Sequence, residues 1–453
     1  MTCFTLFFRY NEGIGGIDMK HYRTKKDSQD RLSLVETKLK QSSHLESIII
    51  DPTNIKQKII GFGGAFTESS AYNLGRINKS QREKAIKAYF DPKEGLGYTI
   101  GRVSIHGCDF SLGSYLYIND YDDSLETFDI SRDQPIIDLI KDAEKYAGQK
   151  IEILGSPWTP PFWMKDNHSP IRGGKLLPKY YQTWADYFVK FIKSYEDKGI
   201  TISWVSVQNE PAAVQRWDSC EYTAEDERDF VKVLGPTLEK HNLEDKKILI
   251  WDHNRDIMVE RASVVFDDPE ANRYAWGTAF HWYENEQFQN VLKLHEKYPD
   301  KHLMFTEGCQ EGGPHFGEYQ VGERYGRNIL NDLRNHNEGY IDWNLFLDET
   351  GGPNHVNNLC SAPVMIQIFH EEIIHMISYY YIGHFSKFIR PNAVQLGSSG
   401  TKEVMYVAFR NEDGSEVVVV QNEKETEVHL EIKGLKQAIE VTIEPRSIST
   451  FVI

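Results

Sequence analysis

Between residues 58 and 348, short apolar runs recur, separated by longer segments whose apolar positions fall three and four residues apart. The runs are KIIGFGG (58–64), TIGRVSI (99–105), IEILGSPW (151–158), ISWVSVQNEP (202–211), KILIWDHN (247–254), WGTAFHWY (276–283), HLMFTEG (302–308) and GYIDWNLFLD (339–348). Runs of this length, rich in β-branched and aromatic residues, predict buried strands. The intervening segments, such as PKYYQTWADYFVKFIKSYEDKG (178–199), predict amphipathic helices. Strands alternating with helices imply parallel βαβ units, and eight such units predict a closed (β/α)8 TIM barrel in the α/β class.

Past residue 384 the period changes from helical to two. KEVMYVAFRNEDGSEVVVVQNEKETEVHLEIKG alternates apolar and polar positions around an Asp413-Gly414 hairpin turn, and the alternation continues through QAIEVTIEPRSISTFVI. The expected organisation has three parts. Residues 1–55, including the strand-like SHLESIIIDPTNIKQ that runs on to 57, contribute strands to a β side domain. Residues 56–384 form the catalytic barrel, and 385–453 form an antiparallel β-sandwich side domain.

The runs share a polarity. Each opens on aliphatic residues and six close on polar or aromatic ones: Ser156 and Trp158, Asn209 and Glu210, Asp252 and His253, His281 and Tyr283, Thr306 and Glu307, Asp342 and Asn344. The active site of such a barrel lies at the C-terminal ends of its strands, so these side chains converge on one rim. Strand-end turns explain one or two polar endings. They do not explain six aligned in the same sense.

Charge and cysteine content narrow the partners. Net charge is −16, which repels phosphate backbones and anionic lipid surfaces and excludes nucleic acid as a partner. The five cysteines, Cys3, Cys108, Cys220, Cys309 and Cys360, are scattered, odd in number and without a CxxC pair, which favours a reducing compartment. The start, MTCFTLFFRYNEG, lacks the basic region and cleavage site of a secretory leader. No apolar run approaches the roughly 18 residues that span a bilayer, so stable membrane insertion is not expected. The expected location is cytoplasmic.

Glu210 and Glu307 close the fourth and seventh predicted strands, about three βα units apart, and so face each other across the barrel mouth. Two carboxylates on one cavity are what glycoside hydrolysis requires: one protonates the leaving oxygen, and the other attacks the anomeric carbon or activates water. Asn209 stands beside the first, placed to bond a sugar hydroxyl. Aromatic residues gather on the same rim: Trp158, Phe162, Trp163, Trp282, Tyr283 and Trp343. Indole walls with polar tips suit sugars, which present apolar C–H faces as well as hydroxyls. Trp158 and Trp343, next to polar strand ends, are the stronger candidates. Two other motifs fail on spacing. GFGGAF (61–66) has Phe66 where a dinucleotide loop needs its third glycine, and HEEIIH (370–375) has Ile374 where a zinc-protease helix needs its second histidine. Neither a metal nor an organic cofactor is expected.

Taken together, GFGGAFTESSAYNL, SPWTPPFWMK, VSVQNEP, HWY, FTEG and WNLFLDETGGPNHVNN resemble glycoside hydrolase family 30, in the branch of the glucosylceramidases. The resemblance runs in order from about residue 58 to 360, and the β-rich tail matches the family's side domain. It implies a retaining mechanism on β-linked sugars, with Glu210 as general acid/base and Glu307 as nucleophile. Substrate-binding roles carry over to Asp109, Trp158, Asn209, His281, Tyr283, Trp343 and Asn358. Arg102 matches a buried supporting arginine that helps keep Glu307 ionised, while Glu210 is expected to hold its proton. The resemblance implies an exo-acting β-glucosidase; β-xylosidase, β-fucosidase and endo-β-1,6-glucanase activities of the same family are the alternatives, and a non-catalytic carbohydrate-binding protein is a remote one. His355 stands where lysosomal members carry Trp, which favours a soluble small-molecule β-glycoside or oligosaccharide over a lipid substrate.

Overall fold

The computed structural model describes residues 19–37, 45–436 and 438–453. Cys3 and the MTCFTLFFRYNEG stretch lie outside the described residues. All eight apolar runs form strands of one closed parallel barrel. In chain order they are β1 (Gly61–Ala65), β2 (Ile100–Ile105), β3 (Glu152–Pro157), β4 (Thr201–Ser206), β5 (Lys247–Asn254), β6 (Ala275–His281), β7 (His302–Glu307) and β8 (Gly339–Asp342). Two runs are longer than their strands. ISWVSVQNEP leaves the barrel after Ser206, so Asn209 and Glu210 stand on the loop that follows β4. GYIDWNLFLD breaks after Asp342, and its second half, Phe346–Asp348, pairs with Val364–Gln367 in a separate three-stranded sheet.

The barrel interior is built in layers, as period-two alternation requires. Ile100, Leu154, Trp204, Leu249, Ala279, Met304 and Ile341, from β2 through β8, form a closed apolar layer. β1 contributes glycines instead: a Cβ at Gly63 would come within 1.9 Å of the Ile100 carbonyl oxygen, so the neighbouring strand leaves no room for a side chain. One step toward the C-terminal rim, the inward positions become polar: Arg102, Ser156, Ser206, Asp252, His281 and Thr306, all buried.

The side domain is a nine-stranded sheet among the described residues, wrapped about its own core. Its strands come from both chain ends: Lys20–Lys25 pairs with Ser447–Val452, and Glu46–Lys58 pairs with Val394–Gly400. The expectation of a wholly antiparallel domain needs correction, because Glu46–Lys58 runs parallel to Val428–Lys433. An N-terminal strand inserted between two C-terminal ones is free to take either direction, unlike strands joined by a hairpin. The run Glu416–Asn422 shows why this domain reads as nearly continuous valine: Val418 and Val420 fill the side-domain core, while Val417 and Val419 join the core that continues into the barrel. HEEIIH does not form a helix; Glu372–His375 is a strand of a hairpin with Val364–Gln367.

His384, on the helix Ile377–Ser386, joins the two domains. Its Nδ1 lies 2.8 Å from the Thr450 hydroxyl and its Nε2 3.0 Å from that of Thr24. Burial pushes this imidazole well below its ordinary value, and burial likewise lowers His106 to about 4. Both are neutral in the folded chain and take up a proton near 6.5 when it unfolds, so the stability they contribute is present above that pH and lost as pH falls. Each should cost about 1.4 kcal/mol per pH unit on that descent. The melting temperature should therefore drop from pH 7 to pH 5, and more shallowly in His384→Asn. Equal slopes for variant and parent would remove His384 from this account.

Candidate active site

Arg102 organises the rim from below. It is fully buried, and its donors reach five acceptors on four neighbouring strands and loops. Nε donates to Ser156 Oγ (3.0 Å); Nη2 donates to Asp252 Oδ2 (2.9 Å) and Asn209 Oδ1 (2.8 Å); Nη1 donates to Glu307 Oε2 (2.5 Å) and the Thr306 carbonyl (3.4 Å). Its face lies 4.9 Å from the Trp158 ring and 5.6 Å from that of Trp343, two indoles that stack on each other with centroids 5.3 Å apart. A rigid planar fork suits this role better than a flexible ammonium.

Asp252 reaches the interior through a β-bulge. Simple alternation from Leu249 would send Trp251 inward. Instead Trp251 (φ 71°) and Asp252 (φ 48°) adopt left-handed backbone, the register with β6 slips, and Asp252 turns in while Trp251 packs outside. The Trp251 N–H is fixed by Glu227 Oε1 at 2.6 Å, from the helix Ala224–Lys240. Asp252 then accepts from Arg102, Ser206 (2.6 Å), Ser156 (3.1 Å) and Thr306 (2.6 Å), and meets His281 Nε2 at 2.9 Å. Burial opposes its charge, but Arg102 and these partners hold the carboxyl far below its ordinary value.

The two glutamates face one cavity of about 390 Å³. Glu210 sits at φ 48°, a strained conformation for a non-glycine residue, held by its N–H donating to the Asp252 carbonyl at 3.0 Å. His281 Nδ1 lies 3.2 Å and His253 Nδ1 3.7 Å from its Oε1. Glu307 Oε1 accepts from the Tyr283 hydroxyl at 3.0 Å.

The shifts of the two glutamates run in the opposite sense to the expectation. Burial raises Glu210, but the hydrogen bond to His281 and the nearby His253 and Arg102 outweigh it, so its carboxyl lies below the ordinary value. At Glu307 burial wins over His281 and Arg102, and the Glu210 carboxylate raises it further. At Glu210 the largest opposing influence is His281. Burial opposes its charge, yet Glu307 together with the hydrogen bonds to Asp252 and Glu210 raises it to about 9. A protonated imidazole against Glu210 was not visible in the sequence.

The cavity wall includes Asp109, Trp158, Asn209, Tyr283, Trp343 and Asn358. Burial raises Asp109 to about 7, and its Oδ2 accepts from Asn358 (3.0 Å) and Asn354 (3.3 Å), tying down the loop beyond β8. Asn209 gives its carbonyl to Arg102, which leaves its amide N–H2 for a ligand. His281 is displaced from its expected place: fully buried, with both nitrogens engaged, it stands behind Glu210 rather than on the wall. Three of the six rim aromatics also stand elsewhere. Phe162 and Trp163 pack with Tyr121, and Trp282 packs between Phe305 and Tyr325. The wall also includes His253, and Trp217, Cys309 and Cys360, which the sequence did not mark. His253 was legible as a strand end; the two cysteines meet only through the short pairing of Gln310–Glu311 with Cys360–Ser361.

Residues 59–389 match the model of the glycosyl hydrolase family 30 TIM-barrel domain, and 392–451 match that of the family's β-sandwich domain. The lysosomal acid glucosylceramidase of Mus musculus is 33% identical, over 88% of this chain and 81% of that protein. Among solved structures, SrfJ from Salmonella typhimurium superposes with a TM-score of 0.90 at 33% identity, over 96% of this chain and 99% of that one. An endo-β1,6-glucanase superposes at 0.86 with 28% identity, over 96% and 99%.

If Arg102 holds the rim together, removing its charge should leave the buried Asp252 and Glu307 with only the His281 imidazolium to offset them. Arg102→Met should lose about 3–5 kcal/mol of unfolding free energy in a urea titration. A loss below about 1 kcal/mol would contradict the central role given to it.

Proposed function

Because the chain belongs to glycosyl hydrolase family 30 and is thus an O-glycosyl hydrolase, we propose that it is a retaining, exo-acting β-glycosidase of glucosylceramidase type that cleaves β-linked glucosides. The observation that carries this reading is the meeting of Glu210 and Glu307, from opposite sides of the barrel, on one cavity walled by stacked indoles. The cavity volume suits a sugar ring with the first atoms of its aglycone, which favours exo action. Trp158 and Trp343 offer the apolar wall; Asp109, Asn209 and Asn358 offer groups for hydroxyls.

Glu307 attacks the anomeric carbon and forms a glycosyl ester as Glu210 passes a proton to the leaving oxygen. Glu210 then draws a proton from water, which attacks the same carbon and releases the sugar. The proton for the first step is held by the Glu210–His281 pair, of which Glu210 is the member facing the cavity. Arg102 and Tyr283 steady the Glu307 oxygens for attack. We also place the enzyme in the cytoplasm, acting on soluble glycosides; the acidic charge and the four described cysteines, all free thiols, support this. A second reading, cleavage within β-1,6-linked glucan, is favoured by the likeness to a solved endo-β1,6-glucanase.

A panel of aryl β-glycosides (glucoside, xyloside, fucoside, galactoside) tests the substrate, with glucoside expected fastest. Silence on all four, with activity on β-1,6-glucan, would select the second reading. Glu307→Gln should stay folded and keep less than about 1% of turnover. Glu210→Ala should be slow and rescued by azide, yielding a β-glycosyl azide. Failure of that rescue would count against the acid/base role. His281 loses its proton as pH rises through about 9. In His281→Asn the alkaline arm of kcat/KM should therefore move to lower pH, and an unmoved arm would separate His281 from proton delivery.

A further inference from the structure

We propose that Glu210, His253 and His281 form a binding site for a borderline divalent cation, zinc above all, at the edge of the cavity. Each of the three residues offers one ligand atom, and these atoms all lie within 4.8 Å of one another. Glu210 Oε1 lies 3.2 Å from His281 Nδ1 and 3.7 Å from His253 Nδ1. Tetrahedral zinc with ligands at 2.0–2.1 Å sets neighbouring donors about 3.3 Å apart, so the two Glu210 separations already lie within about half an ångström of that spacing, and the two imidazoles close the third as the ion enters.

The supports are those of a built site. Asp252 bonds the far nitrogen of His281 at 2.9 Å, the carboxylate–histidine arrangement that aims an imidazole at a metal. His253 Nδ1 is buried with no hydrogen-bond partner, so its donor atom faces the site unused. The carboxylates of Glu210, Asp252 and Glu307 outnumber the Arg102 guanidinium and the His281 imidazolium, and zinc binding at His281 Nδ1 releases the imidazolium proton. The cavity side leaves the fourth position open to water. Two imidazoles and one carboxylate select zinc over magnesium or calcium, which take oxygen ligands.

The three ligands come from two strand ends and the loop after β4, so no sequence spacing announces them. On the function proposed above, the ion does not serve the reaction. It takes the oxygen of Glu210 that the acid/base step uses, and it acts as a reversible inhibitor.

Calorimetric titration of zinc into the full chain, in a non-chelating buffer, tests the site without reference to turnover. One zinc per chain should bind in the micromolar range and survive millimolar magnesium. His253→Gln should weaken it at least about tenfold, as should Glu210→Gln, with melting curves reporting that each variant is folded. Should His253→Gln fail to fold, the Glu210→Gln comparison decides. Absence of a site up to millimolar zinc, or affinity unchanged by both substitutions, would overturn the inference. Zinc should also slow aryl glucoside hydrolysis, with recovery on adding a chelator. Hydrolysis without zinc binding overturns only this inference; zinc binding without hydrolysis overturns only the function.

Discussion

The buried ion pair between Arg102 and Asp252 is the constraint on which the rim depends. Both side chains are fully enclosed, so neither charge is tolerable without the other. Their remaining hydrogen-bonding capacity has to be met from the surrounding strands, and those strands supply it: Ser156, Ser206, Thr306 and His281 from inside, Asn209 and Glu307 from above. A polar layer this well connected fixes strand ends against one another more sharply than an apolar layer does, because each hydrogen bond has a direction. The residues that face the cavity inherit that precision.

Two local distortions make the arrangement possible. The bulge in β5 delivers Asp252 to the interior at a position where alternation would have delivered a tryptophan. The left-handed backbone at Glu210 turns its carboxyl toward the cavity just after the strand has ended. Each is held by a backbone N–H, the first donating to Glu227 on a flanking helix and the second to the Asp252 carbonyl. Strain that persists only because its surroundings over-determine it is characteristic of functional sites.

These distortions also mark where sequence reading stops. The barrel was legible because eight apolar runs carry their period openly, and the rim was legible because the runs end in the same sense. Glu210, Glu307, Trp158 and Trp343 follow from that polarity alone. His281 did not. Its place in the alternation is clear, but whether a strand-end imidazole faces the cavity or backs a carboxylate depends on Asp252, and Asp252 arrives by a bulge that no period predicts. Cys309 and Cys360 lie about fifty residues apart in the chain and line one cavity only because two short strands pair late in the topology. The one parallel pairing among the described residues of the side domain is similarly a matter of chain routing rather than of composition.

The resting charges of the site gain meaning from this connectivity. Glu210 is held low and Glu307 high, the reverse of what an acid and a nucleophile need in isolation. But the two carboxyls do not titrate in isolation. Of the influences that raise His281, the largest is the charge of Glu307, and the imidazole bridges Asp252 to Glu210. In the proposed reaction, Glu307 loses its charge when it bonds the sugar. The stabilisation of the imidazolium by Glu307 then disappears at the step where Glu210 must change from acid to base. The proton is therefore better assigned to the hydrogen-bonded pair than to either residue. Geometry decides which oxygen delivers it: Glu210 faces the cavity, and His281 is sealed behind it.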